Sequence, residues 1–278
     1  MEREMYHIEI QNELEQLLSL VAELDVEDSA SWRVQVKGSL NHWHDLRDNL
    51  EQFVAEETIY FDTLSLDDEI DVYQYLEQEI LFKQTCLDLT YLIRLAYDLG
   101  VERRHIIEIY RYVVNLWLGY ADLVSQIQQL GEMQGTQPLV LNVDYSTALL
   151  LTVCAIKFED SQALVQIVDG LMCYQQDKLL DILHYSYFEN PSISEHYHVT
   201  YPFQQLNEML EQGVNEQTVT TYLNFIQKEQ ASGRYFEKKK FHMLSLLGQW
   251  SFEIFAICAV YQLDVNLFKD FKSVPDCF

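Results

Sequence analysis

Ile106, Tyr110, Val113, Trp117, Tyr120, Val124 and Ile127 follow one another at alternating spacings of four and three residues, a period that an α-helix turns into one continuous apolar seam. A seam of this length needs a partner helix lying antiparallel against it. The preceding segment supplies one: Leu76, Ile80, Phe82, Cys86, Leu89, Ile93 and Ala96 run up to Gly100, a natural helix stop. Ser65 and Asp68, three residues apart, have the spacing of a capping box that would open this helix. The two helices form an αα-hairpin, and the polar stretch from Gly131 to Asn142, with Gly135 and Pro138, reads as the linker out of it.

Residues 6–24 read as an opening helix, with Ile10, Leu14, Leu17, Leu18 and Val21 on one side, and residues 31–61 as a second, with Gly38 as a break. Beyond the linker come shorter helical stretches at 145–158, 161–174, 177–188, 203–212 and 217–231, a stack of short hairpins. Asn190-Pro191 and Tyr201-Pro202 bracket a loop that carries His196 and His198. The stretch from Phe241 to Leu263 is apolar nearly all round, as a central buried helix would be. Nine Gly and four Pro in 278 residues leave little room for tight turns, and 49% hydrophobic content is enough for a sizeable core. The expected class is all-α, a helical bundle or stacked αα-hairpins, with an acidic N-terminal domain over 1–134 and a C-terminal domain over 143–278. No repeat of fixed period accompanies the paired helices.

The charge is lopsided. The chain has 44 acidic against 18 basic residues, a formal net charge of −26. Between Arg47 and Lys83 lie Asp48, Glu51, Glu56, Glu57, Asp62, Asp67, Asp68, Glu69, Asp71, Glu77 and Glu79, with no Lys or Arg among them. Phe53, Ile59, Tyr60, Phe61, Tyr73 and Tyr75 are interleaved with these acids, which favours a folded acidic face over a disordered tail. Such a face repels nucleic acid and anionic lipid and steers basic proteins toward it. An ordinary solvated helix face accounts for the same pattern.

Most catalytic chemistry fails at the level of residue type. There is no phosphate-binding glycine loop, dinucleotide fingerprint, zinc-protease motif, nucleophile elbow or calcium loop. His42-Trp43-His44 and His196-Tyr197-His198 have a spacing that chelates a metal from an extended segment, but residues two apart on a helix diverge. Adjacent acids such as Glu56-Glu57 and Asp67-Asp68 are expected by chance in so acidic a chain, and Lys238-Lys239-Lys240 balances charge locally. Five cysteines, odd in number and widely spaced, imply neither a disulfide framework nor a zinc site. No catalytic residue, metal or cofactor is expected. The N-terminus lacks the signature of a signal peptide and no apolar run reaches spanning length, so the protein is expected to stay in the cytoplasm, away from the membrane. Glu253 sits out of place among Trp250, Phe252, Ile254, Phe255, Ile257 and Cys258. It either reaches solvent or a lysine from the helix edge, or anchors the C-terminal tail as a buried polar group.

That segment, Gly248-Gln249-Trp250-Ser251-Phe252-Glu253, followed by an apolar helix, Leu263-Asp264, Phe268-Lys269-Asp270 and Pro275, resembles the C-terminal signature of the PoNi family, bacterial immunity proteins that neutralise PoNe-type DNase toxins. The likeness extends upstream in helix pattern from about Asp144 and more loosely through Leu46-Arg47-Asp48-Asn49-Leu50 and Leu92-Ile93-Arg94. The chain departs from the family at Gln249, Ile254, Phe255, Ser273 and Val274, which bears on fine specificity more than on fold. The resemblance implies a helical inhibitor of a secreted antibacterial nuclease, acting in the cytoplasm of the producer. Gly248, Trp250, Phe252, Glu253, Asp270 and Pro275 then read as a structural signature that packs the last helix and tail. A nuclease presents a basic groove to the phosphate backbone. The candidate contacts are Glu56, Glu57, Asp62, Asp67, Asp68, Glu69 and Asp71, with Tyr60, Tyr73 and Tyr75 as aromatic anchors. The alternative is a helical protein–protein interaction scaffold or regulator, and a homodimer remains open under either reading.

Overall fold

A computed structural model describes the backbone of the chain except at residues 1, 29–31, 34–36, 65–71, 130–134, 136, 186–191, 233–249 and 275–278. Side chains are described for the same residues except 2–9, 37–38, 56–64, 72–75 and 78. Among the described residues there are ten α-helices, short 3₁₀ and π turns, and no strand. The all-α expectation therefore holds. The chain divides into two compact units, Met1–Pro138 and Leu139–Phe278.

The first unit contains α1 (Glu2–Glu23), α2 (Lys37–Leu64), α3 (Val72–Asp98) and α4 (Arg103–Gln129). Their contacts run α1 with α2, α2 with α3, α3 with α4 and α4 back to α1, the closed neighbour cycle of a four-helix bundle. All seven seam residues of α4 are buried. So are Ile109, Val114, Leu116, Gly119 and Leu123, because α4 faces α1 as well as α3. Tyr112 donates to Gln16 and Asn115 to Glu13 along this second contact. The buried face is accordingly wider than a single seam.

Gly100 ends α3 with φ +78°. Its N–H donates to Tyr97 O and that of Val101 to Ala96 O, the paired bonds of a Schellman stop, in which a left-handed residue costs glycine least. Arg33 covers the same helix end. Its backbone N–H donates to Asp98 O, its guanidinium donates to Tyr97 O, and the cation lies 4.5 Å over the Tyr97 ring. Positive charge at a helix C-terminus is stabilising. Gly38 lies in the first turn of α2 rather than breaking it. The capping box expected at Ser65 and Asp68 falls outside the described residues.

The second unit contains α5 (Leu141–Lys157), α6 (Ser161–Gln166) running into a π turn (Ile167–Leu171), α7 (Lys178–His184), α8 (Leu206–Gln212) after a 3₁₀ turn (Phe203–Gln205), α9 (Glu216–Ala231) and α10 (Phe252–Val260). A 3₁₀ turn, Val265–Phe268, follows. Side chains cap three of these helices: Asp160 accepts from Ala163 N, Asp177 from Leu180 N, and Asn215 forms a capping box with Thr218. The expectation of one central buried helix over Phe241–Leu263 holds for part of that range, where α10 is buried from Phe252 to Cys258. Within it, the described helix starts at Phe252, and residues 241–249 lie outside the described set. Among the described residues of this unit the longest buried helix is α5, in contact with α10, α7 and α6 and buried at every position from Asp144 to Ile156.

Candidate functional site

The acidic run does not have one environment. Asp48, Glu51 and Glu77 are exposed, with Asp48 held 3.0 Å from Arg47. Glu79 instead is buried and accepts a hydrogen bond from the Tyr120 hydroxyl. Phe82 packs edge-on to the same tyrosine, with ring centroids 6.0 Å apart. One acid of the run is thus a core group, kept hydrogen-bonded because a bare buried carboxylate costs several kcal/mol. On the same helix Ile80 is 66% exposed and Leu81 39%.

Of the ten candidate contacts, Glu56, Glu57, Tyr60 and Asp62 fall within α2, and Tyr73 and Tyr75 within α3. Their side chains are outside the described residues, and so are Asp67, Asp68, Glu69 and Asp71 entirely.

The histidine pairs separate. In α2, Trp43 is buried while His42 is exposed and His44 lies 3.0 Å from Glu27. His196 and His198 lie in an extended loop with ring centroids 5.1 Å apart, and His198 Nδ1 is 2.8 Å from Asn142 Oδ1. Among the described residues no three metal-ligating side chains come together.

That loop is fastened to the start of α7 by groups the sequence did not single out. Asp177 is fully buried. Its Oδ1 accepts from Leu180 N and the Tyr145 hydroxyl, and its Oδ2 from His198 N. Burial, then the charge and hydrogen bond of Asp177, push the Tyr145 phenol well above its ordinary range. Lys178 N donates to His196 O, while Lys178 Nζ and the Tyr197 hydroxyl both donate to Asn207 Oδ1. Asp181 accepts from Ser194 N. These side chains come from α5, α7, the loop and α8, so the loop is held on several sides.

Of the signature residues, Phe252 and Glu253 are buried within α10 and Trp250 is buried just before it. Asp270 is exposed, and Gly248 and Pro275 lie outside the described residues. Glu253 is not at a helix edge: only 4% of it is exposed. Its Oε1 accepts from the Tyr222 hydroxyl of α9 at 2.8 Å, and Ser251 also hydrogen-bonds to it. Burial outweighs these bonds and pushes the carboxyl up to about 7. Beside it, Ser251 N donates to Ser273 O, tying the tail to the entrance of α10. Lys157 rests 4.7 Å over the Phe255 ring.

A cleft opens between α8 and α9. The hairpin turns at Gly213, with φ +90°, and the cleft holds about 40 Å³ between Glu208, Met209 and Gln212 on one side and Thr221, Tyr222 and Phe225 on the other. Among the described residues, no helix is long and apolar enough to cross a membrane.

Comparison with known proteins places this second unit. The chain is similar to the crystal structure of protein PA2201 from Pseudomonas aeruginosa, with a TM-score of 0.81 and 22% identity over 94% of this chain and 93% of that one. At that identity the likeness is one of fold. No curated protein matches the chain significantly. Residues 175–276 match the family model described as PoNe immunity proteins (PoNi), C-terminal. The loop on α7, the α8–α9 hairpin and α10 all lie within this matched segment.

Proposed function

We propose that the chain is an immunity protein that binds a cognate secreted antibacterial nuclease and blocks its DNase activity in the cytoplasm of the producing cell. The match of residues 175–276 to PoNe immunity proteins carries this reading. The charge supports it independently. A nuclease concentrates Lys and Arg where it grips the phosphate backbone, and a partner of net charge −26 meets such a surface with complementary sign and faster association. The protein acts by binding, without chemistry of its own.

In this reading Glu56, Glu57, Asp62, Asp67, Asp68, Glu69 and Asp71 face the basic groove, and Tyr60, Tyr73 and Tyr75 provide the aromatic contacts that dominate interface energetics. The exposed Ile80 beside Glu77 extends that surface along α3.

The test is to purify the cognate DNase domain, add the chain at equal concentration, and follow plasmid cleavage and complex formation together. Stoichiometric loss of cleavage with a stable complex is expected. Full cleavage in the presence of folded chain would refute the proposal.

A further inference from the structure

The α8–α9 cleft has the construction of a socket for one side chain. Its volume, about 40 Å³, is far below that of small-molecule pockets and leaves room for the end of one side chain. Its floor is fixed from behind. Tyr222 is buried and held by its hydroxyl on Glu253. Phe225 packs against the Tyr201 ring at 6.3 Å, and Tyr201 donates to Glu229. The turn below is set by the Asn215–Thr218 capping box and by the Thr218 hydroxyl, which donates to Gly213 O.

The rim has acceptors. Glu208 is exposed and receives from the described residues one long bond, 3.2 Å from Gln212 Nε2, with no Lys or Arg at salt-bridge distance among them. Aromatic and thioether walls below an acidic rim suit a flat cation with an apolar stem. An ammonium gains less there, because a guanidinium can stack on a ring face and pair in bidentate fashion with a carboxylate at the same time.

Resting on the immunity reading above, we propose that this cleft receives an arginine side chain of the bound nuclease, its guanidinium against Phe225 and paired with Glu208. The C-terminal unit then contributes its own anchor to the complex, separate from the acidic run of α2 and α3.

Three exposed positions test it by titration against the purified cognate DNase domain. Glu208→Arg reverses the rim charge, and Thr221→Trp fills the mouth. Glu195→Arg makes the same charge change at an exposed residue that does not line the cleft. The two cleft variants are expected to weaken binding at least about 30-fold, and the control about threefold or less. Circular dichroism melting curves that match the parent chain exclude misfolding of these surface variants. Equal losses at Glu208 and Glu195 would reduce the effect to general charge and overturn the proposal, as would wild-type binding by both cleft variants. If the parent chain inhibits the nuclease while the cleft variants are unaffected, the socket alone fails. If the parent chain does not bind, the immunity reading fails and takes the socket with it.

Discussion

Glu253→Gln isolates the energetic consequence of enclosing a carboxyl in the C-terminal domain. In the folded chain the group is pushed up to about 7 by burial, against an ordinary value near 4.5. The folded state therefore holds this proton more tightly than the unfolded one. Stability from the group is full below about pH 4.5 and is lost as pH rises through about 7. At about 1.4 kcal/mol per unit, the wild-type chain should lose about 2–3 kcal/mol between pH 5 and pH 8 relative to Glu253→Gln, which cannot ionise. Subtracting the variant removes the pH dependence of the other titrating groups. The offset at pH 5 will include the cost of repairing the contacts of Tyr222 and Ser251, so the slope is the quantity that decides. Because the chain has two units, one global transition is not assured. Trp250 is the one tryptophan of the second unit. The ¹⁹F signal of 5-fluorotryptophan at that position follows the unfolding of its own unit in urea. A difference between the two proteins that stays constant from pH 5 to 8 would refute the reasoning.

His184 should show the opposite sign. Burial lowers its imidazole to about 3, so its neutral form is required in the folded state, and stability present above about pH 6.5 is lost as pH falls. Against His184→Gln, urea titrations should show the wild type losing about 2 kcal/mol between pH 7 and pH 5. Asp177→Ala leaves the donors of Leu180, Tyr145 and His198 without their acceptor. It should cost about 3 kcal/mol or more in the same titration and raise amide exchange at His198. Reversing Asp67, Asp68, Glu69 and Asp71 to Lys should slow association with the nuclease by about tenfold or more at low salt and flatten its salt dependence in stopped-flow mixing.

The parts of the fold that are legible in the sequence are those set by local rules. The four–three spacing of α4 and the glycine at its approach depend on helix geometry and on φ alone, so Ile106 to Ile127 and Gly100 read directly. The second partner of α4 does not, because docking of α1 against Tyr112 and Asn115 joins residues about a hundred positions apart. Gly38 was open to misreading as a break because a glycine in the first turn of a helix looks the same in sequence as one in the middle. Similarly, α5 and α10 are both apolar and both buried, and composition does not show that they pack against each other. A charge count treats every acid as exposed, so the inward turn of Glu79 toward Tyr120 could not be seen. The clasp around Asp177 and the cleft beside Phe225 arise from tertiary packing of separate helices, for which no periodicity exists. The segment from Trp250 to Glu253 was legible for another reason: it is specific by residue identity.

The most direct measurement of the central claim is inhibition itself: initial rates of plasmid cleavage by the cognate DNase domain as the folded chain is titrated in. A linear fall to zero at a fixed stoichiometric ratio, matched by an equal mass of complex on a sizing column with light scattering, is the predicted result. Undiminished cleavage at a large excess of the chain would contradict it.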